Sequence, residues 1–249
     1  MKKIMYIPLD ERPCNYNFAK YMLEDDSNIE LVIPPLDILK IGVPAALQNV
    51  CYSIANVSVA ATANSFGPAA TTGVSIANQF DGILYQITYA PSLAVIPYVA
   101  QNIGANKVER IKSGVKYLYL ISFAITIPLF ILFFFMPETM MNIFVENTEF
   151  EIIKTGAEFL KTVAPFYLFI TIKLIIDGVL RGSGVMKMFL ISTFTDLLLR
   201  VILCYTLTPV LNERGIWISW PIGWVVATAI SCTFYFTGIW KKKINNLTK

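Results

Sequence analysis

Residues 118–136 read "LYLISFAITIPLFILFFFM". No charge interrupts them, and β-branched, aromatic and leucine side chains fill nearly every position. A helix crossing the hydrocarbon core of a bilayer needs about 20 mainly apolar residues, and this stretch, extended to 115–136, supplies them. Working outward, five further segments repeat the pattern, at 42–65, 70–101, 158–180, 186–209 and 215–240. The composition agrees: 55% of the 249 residues are hydrophobic and 15% are charged, against about 25% charged in an ordinary soluble domain. The sequence therefore predicts an all-α membrane protein with six transmembrane helices, whose first partner is the lipid bilayer.

The first segment, "GVPAALQNVCYSIANVSVAATANS" (42–65), is rich in small and amide residues. Such a helix is expected to pack against protein rather than lipid. Pro91, Pro97, Pro128, Pro165 and Pro221 fall in or near the segments, and each removes a backbone donor and invites a bend. Basic residues gather in three places: Lys107, Arg110, Lys112 and Lys116 after the second segment, Arg181 and Lys187 around the connection after the fourth, and 241–243 after the sixth. The connection 137–153 carries Glu138, Glu146, Glu149 and Glu151 instead. With six crossings the three basic places share one side, and the positive-inside rule puts both chain ends in the cytoplasm. Trp217, Trp220, Trp224 and Tyr235 suit interfacial or packing roles, and Trp240 the inner interface.

A net charge of +3 without a basic stripe argues against a nucleic-acid partner, and the absence of histidine excludes Ser-His-Asp, Cys-His and His-metal sites. Cys14, Cys51, Cys204 and Cys232 are far apart in sequence and form no CxxC motif. Neither a metal site nor an organic cofactor is expected. An enzyme acting through Asp10 and Glu11 is disfavoured, because adjacent carboxylates on a strand point to opposite faces. The stretch 4–9 is too short for a signal-peptide core and charge follows it at once.

Ionisable residues inside a membrane segment are costly and by default functional. Asp81 lies in the second segment with no opposite charge four residues away, Lys173 and Asp177 lie in the fourth and Asp196 and Arg200 in the fifth. The latter two pairs have the i,i+4 spacing at which acid and base neutralise each other along one helix face, which is also their simplest structural explanation. Asn78, Gln79 and Gln86 suggest a polar face around Asp81, and Tyr85 and Tyr89, one turn apart, suit an aromatic wall for a cationic or aromatic substrate. Asp81, Tyr85, Tyr89, Lys173, Asp177, Asp196 and Arg200 are therefore the candidate substrate- or cation-binding residues.

Four stretches carry a family resemblance: "KIGVPAALQN" (40–49), "VAQNIGANKVERIKSG" (99–114), "IIDGVLRGSG" (175–184) and "GIWISWPIGWVV" (215–226). In order and spacing, residues 40–249 resemble the C-terminal half of the MATE (multidrug and toxin extrusion) transporters. The resemblance implies one six-helix lobe that exports drugs or other small organic, often cationic, molecules in exchange for Na⁺ or H⁺. It also implies a second six-helix lobe as partner, on another chain or in a homodimer. The NorM-like branch places carboxylates near positions matching Cys51–Tyr52 and Ile170–Thr171, where this chain has none. A flippase of lipid-linked saccharides, from the same superfamily, is the runner-up, with Lys173 and Arg200 as its candidate basic residues. An inactive hybrid fragment is the other alternative.

The N-terminus reads differently. Residues 4–9 and 29–35 look like strands and 17–26 like a helix between them, the start of a parallel βαβ unit. Roughly 40 residues cannot bury both faces of such a unit, so it reads as incomplete. "YIPLDERPCNYNF" (6–18) and "IPPLDIL" (33–39) resemble a family of soluble bacterial proteins of unassigned activity. The expectation is a short βαβ segment at 1–39 fused, near 36–40, to the six-helix lobe at 40–249.

Overall fold

The structure is a computed structural model that describes residues 3–6, 29–32, 35–105, 107–146 and 149–241. Strands β1 (Lys3–Tyr6) and β2 (Ile29–Val32) pair in parallel, with Lys3 opposite Ile29 and Tyr6 opposite Val32. The helix expected between them, together with Asp10, Glu11 and Cys14, lies outside the described residues.

Helices make up the rest. They are α1 (Pro35–Asn64), α2 (Pro68–Gly104), α3 (Val108–Phe135), the short α4 (Pro137–Met141), α5 (Phe150–Val163), α6 (Tyr167–Gly182), α7 (Met186–Leu211) and α8 (Glu213–Phe236). Five stretches among the described residues are long and apolar enough to cross a membrane: α2, α3, α5 with α6 taken together, α7 and α8. α1, at 30 residues, is long enough but is not one of these five. Gln48, Asn49, Asn56, Ser53, Ser58 and Thr62 dilute its apolar content.

Three boundaries depart from the sequence reading. α1 starts at Pro35, so the expected junction near 36–40 falls inside its first turns. The fourth segment begins at Phe150 rather than near 158, because "FEIIKTGAEFLKTV" is itself amphipathic and buries Ile153, Ala157, Phe159 and Leu160. Half of the acidic connection is thus helix. Pro165 sits in a 3₁₀ turn, Ala164–Phe166, that joins α5 to α6, where its missing N–H interrupts the α-helical ladder. Pro91 and Pro97, by contrast, are accommodated within an unbroken α2.

The paired α5 and α6 form the most buried stretch of the lobe, with α8 next, while α2, α3 and α7 are mostly on the outside. α2 packs along both α5 and α6, α7 packs along α8, and α1 packs mainly on α7. On α1 one face turns inward, with Ala55, Val59 and Ala63 buried at i, i+4 and i+8, and Val50, Ile54 and Val57 on the other side are exposed. The expectation that this helix faces protein therefore holds for one side of it.

Close approach of α6 to α2 depends on two glycines four residues apart. A Cβ on Gly178 would come within 2.9 Å of the Ser92 carbonyl oxygen, and one on Gly182 within 2.6 Å of that of Ile96. This is the small-xxx-small device of membrane helices. Two residues on, Gly184 takes a positive φ of 74°. Its N–H reaches the Arg181 carbonyl while Val185 N–H reaches that of Leu180, the paired bonds of a Schellman stop. Apolar packing divides into two clusters. One contains Phe80, Phe159, Tyr167, Trp217 and Trp224, and the other Val95, Val99, Ile111, Val179 and Trp240. All four tryptophans are buried, which accords with the packing role expected of Trp217, Trp220 and Trp224.

Candidate functional site

On α2 the stretch 81–92 lies between Phe80 and Val95, which belong to the two different clusters. Here the lobe opens a cavity of about 300 Å³. All seven candidate residues line it: Asp81, Tyr85 and Tyr89 from α2, Lys173 and Asp177 from α6, and Asp196 and Arg200 from α7. α8 adds Trp220 and Trp224, and α1 adds Gln48 and Tyr52. Tyr52 and Ile170, where the resemblance directs attention for carboxylates, are on the wall. The polar face around Asp81 is narrower than expected, for Gln86 lines the cavity but Gln79 is not among the lining residues.

The two i,i+4 pairs differ in kind. Lys173 Nζ donates to Asp177 Oδ2 at 2.6 Å, and both side chains are buried. Ser231 on α8 donates to the other oxygen, Oδ1, at 2.7 Å, and Ser192 on α7 hydrogen-bonds Ser231 at 2.7 Å. This knot ties three helices and leaves neither Asp177 oxygen unpaired. Asp196 and Arg200 make no such bond, since Arg200 Nη2 stands 3.7 Å from Asp196 Oδ2. The Arg200 guanidinium lies over the Trp220 ring, 4.3 Å from its centre. Asp196 Oδ1 and Arg200 Nε are buried without a hydrogen-bond partner among the described residues.

Asp81 is buried and forms no ion pair among the described residues. Its partner comes from 86 residues away: the Tyr167 hydroxyl donates to the carboxylate and also lies 3.0 Å from the Asp81 carbonyl oxygen. The Tyr167 ring is held edge-on against Trp224. Tyr85 and Tyr89 stack with ring centres 5.8 Å apart and planes 12° from parallel. Arg181 donates to the Tyr89 hydroxyl at 3.1 Å and covers the Phe189 ring.

Tyr167 and Ser231 do not stand out in the sequence, and Trp220 and Trp224 read there as interfacial or packing residues rather than as part of a site. Arg181 was visible as a charge but was assigned to the connection. Tyr167 and Ser231 carry no local signal, because their partners are in other helices.

A model of the MatE family matches residues 44–206, well over half of the chain. A probable multidrug resistance protein of Bacillus subtilis (strain 168), YoeA, is 26% identical over 209 residues, which is 83% of this chain and 44% of that protein. The probable multidrug resistance protein NorM of Thermotoga maritima is 22% identical over 210 residues, 83% of this chain and 45% of its own. The chain thus spans about half the length of these relatives. Among solved structures, an outward-facing multidrug resistance MATE family transporter superposes with a TM-score of 0.73 at 20% identity, over 93% of this chain and 53% of that one. A transporter of the same superfamily from Pyrococcus furiosus gives 0.73 at 19% identity, over 94% and 54%. The long apolar helices, the fold and the family model agree: this chain is a multi-pass membrane protein and belongs to the MatE family of transporters.

Proposed function

We propose that the helical part of this chain, 40–249, is the C-terminal six-helix lobe of a drug-exporting antiporter in a bacterial inner membrane. It moves small organic molecules, many of them cationic, against an inward flow of Na⁺ or H⁺, and works beside a second six-helix lobe. Both termini face the cytoplasm, and the N-terminal strand pair is the remnant of a βαβ unit joined to the lobe. The observation that carries this reading is the convergence of seven charged and aromatic residues, scattered over 120 positions from Asp81 to Arg200, on one cavity. Charges held in a membrane segment cost about 2.5–3.5 kcal/mol each on insertion scales, so their assembly on a single wall calls for a transport role.

Export of ethidium from efflux-deficient cells tests it. Cells expressing this chain with a second six-helix lobe are expected to expel the dye, and Asp81→Asn is expected to slow them. Dye retention with and without the second lobe would sink the reading in favour of an inactive hybrid. A second reading, flipping of lipid-linked saccharides, has one observation behind it: Arg181 joins Lys173 and Arg200 on the cavity wall. A lipid-flipping assay in vesicles separates it from drug export.

A further inference from the structure

Guanidinium groups present five N–H donors and keep their charge. Arg200 is only 3% exposed, yet no hydrogen bond holds it among the described residues. Its one ion-pair contact, Asp196 Oδ2 at 3.7 Å, is too long for a hydrogen bond, and its Nε–H is unpartnered. Trp220 fixes the plane of the group from one side. Apart from Asp196, whose Oδ1 is also unpartnered among the described residues, the other charges of the cavity are better served. Lys173 is closed onto Asp177, Asp177 also accepts from Ser231, and Asp81 accepts from Tyr167. Among the described residues Arg181 hydrogen-bonds the Tyr89 hydroxyl and no carboxylate. Asp196–Arg200 is therefore the least satisfied pair on the wall, with Asp196 Oδ1 and Arg200 Nε both unpartnered among the described residues, and for the guanidinium, with its five donors, a buried charge without hydrogen bonds is costly.

We infer that Arg200 anchors an anion-binding subsite, and that a molecule held in this cavity carries a small anionic group, carboxylate or phosphate, on a flat body. The anion takes the guanidinium fork in the two-pronged geometry that Arg favours, displacing the loose contact to Asp196. The flat body rests against the stacked Tyr85 and Tyr89. Asp196 then acts as the fork's weak occupant when the cavity is empty. This subsite refines the transport reading, but its test does not depend on transport.

The probes are 2-naphthoate and its size-matched cation, 2-naphthylmethylammonium, titrated into the purified full chain in detergent and followed by calorimetry. Naphthoate is expected to bind, and Arg200→Gln to weaken it by about tenfold or more, the usual worth of a charged hydrogen bond. Arg200→Lys keeps the charge without the fork and is expected to give a smaller loss. Asp196→Asn removes the competitor and is expected to tighten binding several-fold. Where Arg200→Gln does not fold, the Lys and Asn variants decide. Naphthoate affinity unchanged across these variants, or a cation that depends on Arg200 as strongly as the anion does, overturns the inference. Displacement of naphthoate by phosphatidylglycerol but not phosphatidylcholine, lost in Arg200→Lys, supports the subsite and assigns its anion to a lipid headgroup. Naphthoate binding without dye export upholds the subsite while the transport reading fails, and dye export without Arg200-dependent binding does the reverse.

Discussion

At the scale of single residues, the two i,i+4 pairs show how little spacing alone decides. Lys173–Asp177 is a closed knot, and breaking it leaves a buried carboxylate beside a single serine donor. Lys173→Ala is expected to cost about 3–5 kcal/mol, the usual penalty for stranding one member of a buried pair. The double variant Lys173→Ala/Asp177→Ala is expected to recover much of it, and thermal unfolding in detergent monitored by size-exclusion fluorescence measures both. Tyr167→Phe removes the hydrogen bond that Asp81 accepts from another helix and is expected to cost about 1–3 kcal/mol by the same measurement, the price of an orphaned buried acceptor. Asp196→Asn, whose partner is already loose, is expected to change stability far less than Lys173→Ala. Equal losses at the two pairs would show that the difference in their geometry has no energetic weight.

At the scale of elements, the α2–α6 contact depends on Gly178 and Gly182, where backbone oxygens occupy the space a side chain would need. Gly182→Val is expected to lower stability by about 1–3 kcal/mol, as overpacking of a tight interface does. Gly82→Ala, with nothing within 4 Å of its new Cβ, is expected to leave unfolding unchanged within about 0.5 kcal/mol. A matched loss at both positions would mean that glycine matters here for helix flexibility rather than for close approach. The short connection between α6 and α7 makes a separate demand. Gly184 has φ of 74°, a conformation costing roughly 1 kcal/mol or more for a residue with a Cβ.

At the scale of the whole molecule, the prediction is topological. Alternating crossings place the basic residues near Lys107 and Lys187 and at 241–243 together, with the acidic segment from Glu138 to Glu151 opposite. Single cysteines at Glu146 and Lys242, in a background with Cys14, Cys51, Cys204 and Cys232 replaced, are expected to react with a membrane-impermeant maleimide from opposite sides. Labelling of both from one side would remove an odd number of crossings between them. The outward-facing residues of α1, among them Val50, Ile54 and Val57, are more than half exposed among the described residues, where lipid or the proposed second lobe would cover them.

The membrane nature of the chain and the existence of its long helices followed from the sequence alone, because the bilayer requires length and apolarity within each segment and both are local properties. The five charged candidates were legible for the same reason, since a charge in an apolar run stands out wherever its partner is, and Tyr85 and Tyr89 were legible from their one-turn spacing beside Asp81. What the tertiary structure alone decided was partnership. Tyr167 is 86 residues from Asp81, and Ser231 is 54 from Asp177, so helix packing, and no spacing along the chain, brings them together. The same packing closed one charged pair and left Arg200 without a hydrogen bond among the described residues, although the two pairs have identical spacing in the sequence. Periodicity records which face of a helix a residue occupies; only the neighbouring helices determine what that face meets.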